Sequence, residues 1–466
     1  MTTMAELLRE EQLHEEKDLV RGLKNRHIQM IAIGGAIGVG LFLGSARAIQ
    51  AAGPALLLSY ALVGIVIFFI MRALGELLLY RPVAGSFATY AEEFIAPWAG
   101  FFTGWSYWFM WVVTGMAEIT AVAVYVNYWF PDVPHWIPAL ITLGILYGVN
   151  LIAVGVFGEV EFWFAIIKVV TIIALIAIGL VVILFGFGEL GQTASFSNLW
   201  AHGGFAPMGV VGVILSLQVV AFAFLGVELV GVTAGEAENP QKVLPSAINA
   251  VVWRILIFYI GALVVIMALV PWNQLDPKQS PFVLVFDRIG IPAAGGIINF
   301  VVITAAASSC NSGIFSTGRM LYTLAQFGQA PRFLGKVNAG HVPAVGVTVS
   351  AAVMLIGVLL NYVVPERVFV WVISVATVGA LWTWAMILIA HMGYRKAVAE
   401  GRAQPSPFRM PGSPVTNWIS LAFIVLVTCF LALDADTRIA LIVGPIWFAI
   451  LAIGYRLTKS REPALA

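Results

Sequence analysis

The sequence predicts an all-α membrane protein with twelve transmembrane helices. Its 466 residues are 61% hydrophobic, with a mean hydropathy of +0.95, and only 11% are charged, against about 25% in soluble domains. Basic and acidic residues nearly balance, at 25 and 24, so no net charge would attract a polyanion. These observations argue against a disordered chain, a nucleic-acid binder and an ordinary soluble enzyme.

Twelve apolar segments approach or exceed the length of about 20 residues that a helix needs to cross a bilayer. They lie at 29–50, 55–79, 98–129, 136–155, 163–187, 209–234, 248–270, 291–324, 343–363, 368–391, 416–433 and 438–457. We therefore expect one helical domain over 28–457, preceded by a charged cytoplasmic segment, 1–27, and followed by a short cytoplasmic tail, 458–466.

Positive charge predicts the orientation of these spans. If the spans alternate from a cytoplasmic N-terminus, nineteen of the 25 Lys and Arg residues fall on the cytoplasmic side and five on the other. Cytoplasmic loops carry such an excess of Lys and Arg, so we expect both termini inside. The remaining cation, Lys168, lies within the fifth span.

The loops leave little room for soluble chemistry. The longest polar stretches are 188–208, 325–342 and 392–415, and the chain has no P-loop, HExxH, GxSxG or CxxC motif. We expect no cofactor and no metal site, and Cys310 and Cys429 are too few for a disulfide framework. Three classes of protein remain: a secondary transporter, a channel or an intramembrane enzyme. In an intramembrane enzyme, Glu118 and Glu228 are the conceivable acid pair.

The first span contains four glycines within 34–40, each costing about 1 kcal/mol relative to alanine in a helix. One interpretation is close helix packing, because Gly34 and Gly38 form a GxxxG pattern. The other is an unwound break near the middle of the membrane, where free backbone groups bind a substrate.

The sixth span carries Gly226 beside Glu228 in an otherwise apolar segment. A charge inside a membrane is costly and has a partner or a function, so Glu228 either holds a neighbouring helix or belongs to a site. Breaks in spans one and six occupy corresponding positions if the first ten helices form two inverted five-helix repeats, an arrangement typical of transport sites.

The motifs in these spans resemble bacterial amino acid permeases of the APC superfamily. The resemblance covers about 22–457 and rests on Asn25–Ile28, Gly34–Phe42, Arg72–Glu76, Phe157–Phe164, the span-six motif and Glu236–Pro240. It implies a LeuT-type fold with repeats over about 28–187 and 209–391, extra helices over about 416–457, and alternating access in a bacterial inner membrane.

The resemblance also implies a substrate site between the two breaks. The substrate carboxylate would meet backbone N–H groups of Gly38, Val39 and Gly40, and its ammonium the carbonyls of Ala36, Phe222 and Leu225. Val39 stands where many relatives have Thr or Ser, so backbone contacts must suffice.

Three charges within the predicted spans, Lys168, Glu118 and Glu228, are candidates for coupling or gating. Lys168 either snorkels to the membrane interface or, as the resemblance implies, carries the coupling proton near Ser308 and Ser309. Glu118 either lines the site or pairs with another helix. At the end of span two, Arg72 and Glu76 have the spacing of a helix ion pair.

The resemblance implies a small amino acid as the substrate and lipid as the surroundings. Tyr107–Glu118 in span three and Ala307–Thr317 in span eight look most like carriers of glycine, D-alanine and D-serine. A proline-specific, aromatic or general L-amino acid permease, or an amino acid exchanger, is the alternative. The sequence does not decide the oligomeric state.

Overall fold

The computed structural model describes residues 30, 37–83, 85–152, 154–233, 240–277, 279–289, 293–338 and 340–459. Every regular element in these ranges is a helix, and they contain no strand, which confirms the all-α class. Four predicted parts lie wholly or mainly outside the described residues. They are the N-terminal segment, the tail, the start of the first span and the Glu236–Pro240 motif.

The first half of the chain forms nine helices within the described residues. They are α1 Val39–Phe42, α2 Gly44–Ala52, α3 Leu56–Tyr80, α4 Ser86–Phe94, α5 Pro97–Val126, α6 Trp136–Asn150, α7 Val154–Phe185, α8 Gly188–Gly191 and α9 Asn198–Ala201. The short α4 was not among the predicted elements, because its nine residues are too few and too polar to span a membrane.

The second half forms ten α-helices within the described residues. They are α10 Gly209–Ala223, α11 Leu229–Thr233, α12 Pro240–Arg254, α13 Ala262–Leu269, α14 Pro281–Arg288, α15 Ala294–Gln326, α16 Ala344–Val363, α17 Val368–Ala399, α18 Val415–Phe430 and α19 Ile439–Lys459. A π-helical stretch, Ile255–Gly261, joins α12 to α13.

Each of the twelve predicted segments coincides with one or more of these helices, where it is described. Eight helical runs are long and apolar enough to cross a membrane by length and composition, and α2 and α3 count as one of them. Three further apolar helices are shorter: α6, α10 and α18. The chain is therefore multi-pass, and twelve crossings stay a prediction.

Helices α5, α15 and α17 form the centre of the bundle. About four-fifths of the most apolar window of each is buried, against 17% for α19 at the periphery. Glycines allow the close approach: a Cβ on Gly313 of α15 would lie 2.7 Å from Trp111 of α5, and one on Gly379 of α17 would lie 2.7 Å from Met110. Small residues at helix interfaces permit such contacts in membrane proteins.

The described residues are non-helical at both positions where the sequence predicts a break. Ile37 and Gly38 are not helical, and α1 begins only at Val39. Helix α10 ends at Ala223, residues 224–228 form a turn, and α11 begins at Leu229. Gly226 has a φ of 99° in that turn, a conformation that glycine adopts without steric cost.

Candidate functional site

The first break lies against two central helices. A Cβ atom on Gly38 would lie 2.6 Å from Oε1 of Glu118 on α5 and 2.9 Å from Oγ of Ser309 on α15. Gly38 is buried, so these groups meet inside the bundle. The glycine brings the backbone of the break directly onto a carboxylate and a hydroxyl, which no larger residue would allow.

Glu118 is the polar centre of this contact. Its side chain is 2% exposed, and its carboxyl group faces the Ser309 hydroxyl and the backbone N–H of Val39. Its Oε2 has no hydrogen-bond partner among the described residues. A buried carboxylate oxygen without a donor is costly. This atom is therefore suited to accept a hydrogen bond from a bound ammonium group, or to bind a proton.

The second break approaches the first through glycine as well. A Cβ on Gly40 would lie 2.6 Å from the Cα of Ala223, the last residue of α10. The carbonyl of Phe222 accepts the Leu225 N–H at 3.0 Å, and the carbonyl of Ala223 accepts the Tyr259 hydroxyl at 3.1 Å. Gly38 and Gly40 therefore both make close contacts with neighbouring helices, as the packing interpretation expects, and substrate binding at the break stays a prediction.

Phe222 lies just before the turn and Leu225 lies within it, 3% and 5% exposed. Ala36, the third predicted source of a carbonyl, lies outside the described residues. Sequence reasoning missed Tyr259, which packs on Phe224 with ring centroids 4.8 Å apart. Only the fold brings this tyrosine, from the π-helical stretch, to the end of α10.

Glu228 holds the second break in shape. Its two carboxylate oxygens accept the N–H of Gly226 at 3.3 and 3.2 Å, and the indole N–H of Trp384 on α17 donates to Oε2 at 3.3 Å. The side chain is fully buried. Among the described residues, Glu228 therefore ties the turn to a neighbouring helix, in agreement with one of the two interpretations of the sequence.

Lys168 lies beside a carboxylate that the sequence analysis did not select. Its Nζ is 3.9 Å from Oε1 of Glu161, and both side chains are fully buried. The Ser308 hydroxyl donates to the same carboxylate, at 2.7 and 2.8 Å. Lys168 thus points into the bundle rather than to the surface. The signal was available, because residues seven apart lie on one face of a helix.

Ser308 and Ser309 connect the two polar groups. Ser308 contacts the Glu161–Lys168 pair, and the next residue, Ser309, contacts Gly38 and Glu118 at the first break. Two neighbouring serines of α15 therefore contact the non-helical backbone at Gly38, the Glu118 carboxylate and the buried Glu161–Lys168 pair. Among the described residues, no group of three or more His, Cys, Asp or Glu side chains is suited to a metal ion.

Comparison with known proteins gives consistent results over the whole chain. A family model described as amino acid permease matches residues 27–465. An uncharacterized amino acid permease of Bacillus subtilis is 56% identical over 441 residues, 95% of each chain. A probable threonine/serine transporter of the same organism is 52% identical, covering 96% of this chain and 99% of the relative. The D-serine/D-alanine/glycine transporter of Escherichia coli K12 is 46% identical, and the match covers 100% of this chain and 99% of the relative.

Proposed function

Because the chain belongs to the amino acid permease family, a family of transporters rather than enzymes, we propose that it imports small neutral amino acids by proton symport. Glycine, D-alanine and D-serine are the proposed substrates. The observation that carries this proposal is the meeting of the two helix breaks, with Gly38 on Glu118 and Ser309, and Gly40 on Ala223.

The proposed substrate site uses the polar ends of the interrupted helices. The N–H groups of Gly38, Val39 and Gly40 bind the substrate carboxylate, since the start of a helix carries a partial positive charge. The carbonyls of Ala36, Phe222 and Leu225 bind the ammonium, and the unsatisfied Oε2 of Glu118 accepts a further hydrogen bond from it. Recognition through backbone groups leaves little to discriminate between D and L isomers.

The proposed coupling group is the buried ion pair. Lys168 releases and rebinds a proton during the cycle, and Glu161, which accepts the Ser308 hydroxyl, holds its ammonium in place. The link to the substrate is short, because Ser308 and Ser309 are neighbours and Ser309 contacts the first break. Movement of that break on substrate binding would change the surroundings of the pair.

The wider architecture belongs to the same proposal. We infer a LeuT-type arrangement with inverted repeats over about 28–187 and 209–391 and alternating access, in a bacterial inner membrane with both termini cytoplasmic. The two breaks, in the first predicted span and in the segment from α10 to α11, support it, because they fall at corresponding positions of the repeats.

Uptake into proteoliposomes tests the transport proposal. The purified protein is assayed with radiolabelled glycine, D-alanine, D-serine, L-serine, L-threonine, L-alanine and L-proline, with and without an inward proton gradient. We expect saturable, gradient-driven uptake of glycine and the D isomers. Uptake of threonine and serine alone would replace the substrate, and stimulation by internal amino acid without a gradient response would indicate an exchanger.

A further inference from the structure

A cavity separate from the residues of the two breaks lies between α2 and α10. It has a volume of about 350 Å³ and lies between α2, α10, the start of α17 and the turn at 434–437. Its polar lining consists of Arg47, Gln50, Gln218, Asp434 and Thr437. This volume is at the lower end of the range for ligand pockets, about 300–1,000 Å³, so it fits a small molecule.

The mouth of the cavity carries charges of both signs. Nη2 of Arg47 lies 3.7 Å from Oδ2 of Asp436, and both side chains are 39% exposed. An exposed pair at this distance adds little to stability. The guanidinium has five N–H donors in a planar fork that matches a carboxylate, so the ion pair occupies only part of its hydrogen-bonding capacity.

The carboxylates are held in place by the turn that carries them. Oδ1 of Asp434 accepts the backbone N–H of Asp436 at 2.8 Å, and the Thr437 hydroxyl donates to the Leu431 carbonyl at 2.7 Å. On the opposite wall, Gln50 donates to the carbonyls of Trp272 and Leu275. Asp434, Thr437 and Gln50 are therefore held by bonds to the backbone, and Arg47 is the charged donor of the lining.

The cavity lies one helical turn from the second break. Gln218, in its lining, precedes Phe222 by four residues on α10, and residues at that spacing are neighbours on one face of a helix. Phe222 is 3% exposed and lies in the chain between Gln218 and the turn at 224–228. A small molecule held in the cavity would therefore lie within two helical turns of the proposed substrate site along α10.

We propose that this cavity is a capture site for the zwitterion of an α-amino acid. Arg47 binds the carboxylate, and Asp436 with Asp434 binds the ammonium, so that an amino acid is held before Phe222 moves aside. The inference rests on the proposed function and adds a second site to it. Because the two charges must be bound together, a ligand that lacks either one binds poorly.

Protection of an introduced cysteine tests this site without any transport measurement. In full-length protein carrying Cys310→Ser and Cys429→Ser, Ala51→Cys places a thiol in the cavity lining, and a charged methanethiosulfonate reagent reports its accessibility. We expect glycine to slow the labelling, whereas glycinamide and acetate do not. Adding Arg47→Gln raises the glycine concentration needed about tenfold or more, since a charged hydrogen bond is worth about 1.5–3 kcal/mol.

Matched variants separate direct protection from effects of the central site. Arg367→Gln removes an exposed arginine outside the cavity and leaves protection unchanged, and Asp436→Asn weakens it as Arg47→Gln does. Gly38→Ala, which blocks the central site, leaves protection intact. Protection that disappears with Gly38→Ala but persists with Arg47→Gln would overturn the capture site.

The result also separates this inference from the proposed function. No protection by glycine, serine, threonine or proline overturns the capture site, even where uptake is observed. Protection of the cysteine without uptake of any of these amino acids keeps the site and rejects transport.

Discussion

The Cβ that Gly38 lacks would lie 2.6 Å from Oε1 of Glu118. Real Cβ atoms do not approach an oxygen so closely, and the carboxylate is buried. The first break and α5 can therefore meet only through a glycine. This relationship makes Gly38 a direct probe of the proposed substrate site.

We predict that Gly38→Ala lowers substrate uptake at least about fivefold. The added methyl group forces the break away from Glu118 and Ser309, and overpacking of this kind costs about 1–3 kcal/mol, or about 5- to 160-fold in affinity. Gly44→Ala is the control, because its Cβ would meet a methyl group of Val219 at 3.2 Å and the Val39 carbonyl oxygen at 3.7 Å, an ordinary contact. Equal uptake by the two variants would remove Gly38 from the site.

Lys168→Met leaves Glu161 as a buried charge that is satisfied only in part, so we expect a large loss of thermal stability in detergent. Removing one partner of a buried ion pair costs about 3–5 kcal/mol. The double variant Lys168→Met with Glu161→Leu should regain most of this stability, because neither charge is then left alone. Neither variant should retain proton-driven uptake; full pH-dependent uptake by Lys168→Met would contradict the coupling role.

Glu228→Gln tests whether this residue maintains the second break. The glutamine oxygen can take the place of Oε2 and accept from Gly226 and Trp384, but its NH₂ group then faces the Gly226 N–H where Oε1 now accepts it. We expect a loss of about 1–3 kcal/mol, measured as a lower Tm, and a smaller loss for Trp384→Phe, which removes one donor. A raised KM at unchanged Tm would assign Glu228 to substrate binding instead.

Glu76 should control the segment between α17 and α18. Its Oε2 lies 2.9 Å from Nε2 of His391 and accepts the N–H of Met410 at 2.6 Å, whereas Arg72, its predicted partner, stacks on Phe408 and donates to the carbonyl of Arg409. We expect Glu76→Gln to speed tryptic cleavage within 400–414. The control Glu366→Gln removes an exposed carboxylate outside this segment and should have little effect; equal cleavage rates would show that Glu76 does not hold this segment.

Glu92 should make the stability of the folded protein fall as the pH rises from acid to neutral. It lies in α4, outside the membrane-spanning segments, and burial raises the pKa of its carboxyl group, although Gln329 donates to it at 2.9 Å. A raised pKa in the folded state means that stability is lost as the pH rises from the unfolded pKa through the folded one. Glu92→Gln keeps an acceptor for Gln329.

The Tm of Glu92→Gln should therefore match that of the wild type in acid and exceed it at neutral pH. The neighbouring Glu93→Gln, which loses an exposed contact with Arg81, should show no such gain. A wild-type Tm at neutral pH for Glu92→Gln would mean that the buried charge is compensated elsewhere.

The helices and the two breaks were predictable because their signals are local. Apolar length marks each span, and the glycines at 34–40 and 226 mark the positions where helical backbone is unfavourable. The proximity of Lys168 to Ser308 was also expected, but Glu161 was not. Glu161 belongs to the Phe157–Phe164 motif, and its spacing of seven residues from Lys168 places both side chains on one face of α7.

Contacts between distant segments were beyond sequence reasoning. Nothing near Glu76 in the chain indicates His391, which is 315 positions away, and Arg72 at the right spacing was a plausible alternative. The roles of Tyr259 and Trp384 follow in the same way from helices that pack together. Many pairings of apolar helices bury similar surfaces, so composition does not select among them.

The sequence by itself determined that this chain is an all-helical membrane protein with interrupted helices and a few charges within them, because hydropathy and glycine content act residue by residue. Only the tertiary structure decided which backbone meets which charge: Gly38 on Glu118, Lys168 on Glu161, and Trp384 on Glu228. The physical reason is that a buried polar group must find its partner in three dimensions, whereas apolar helix surfaces leave that choice to the packing of the whole bundle.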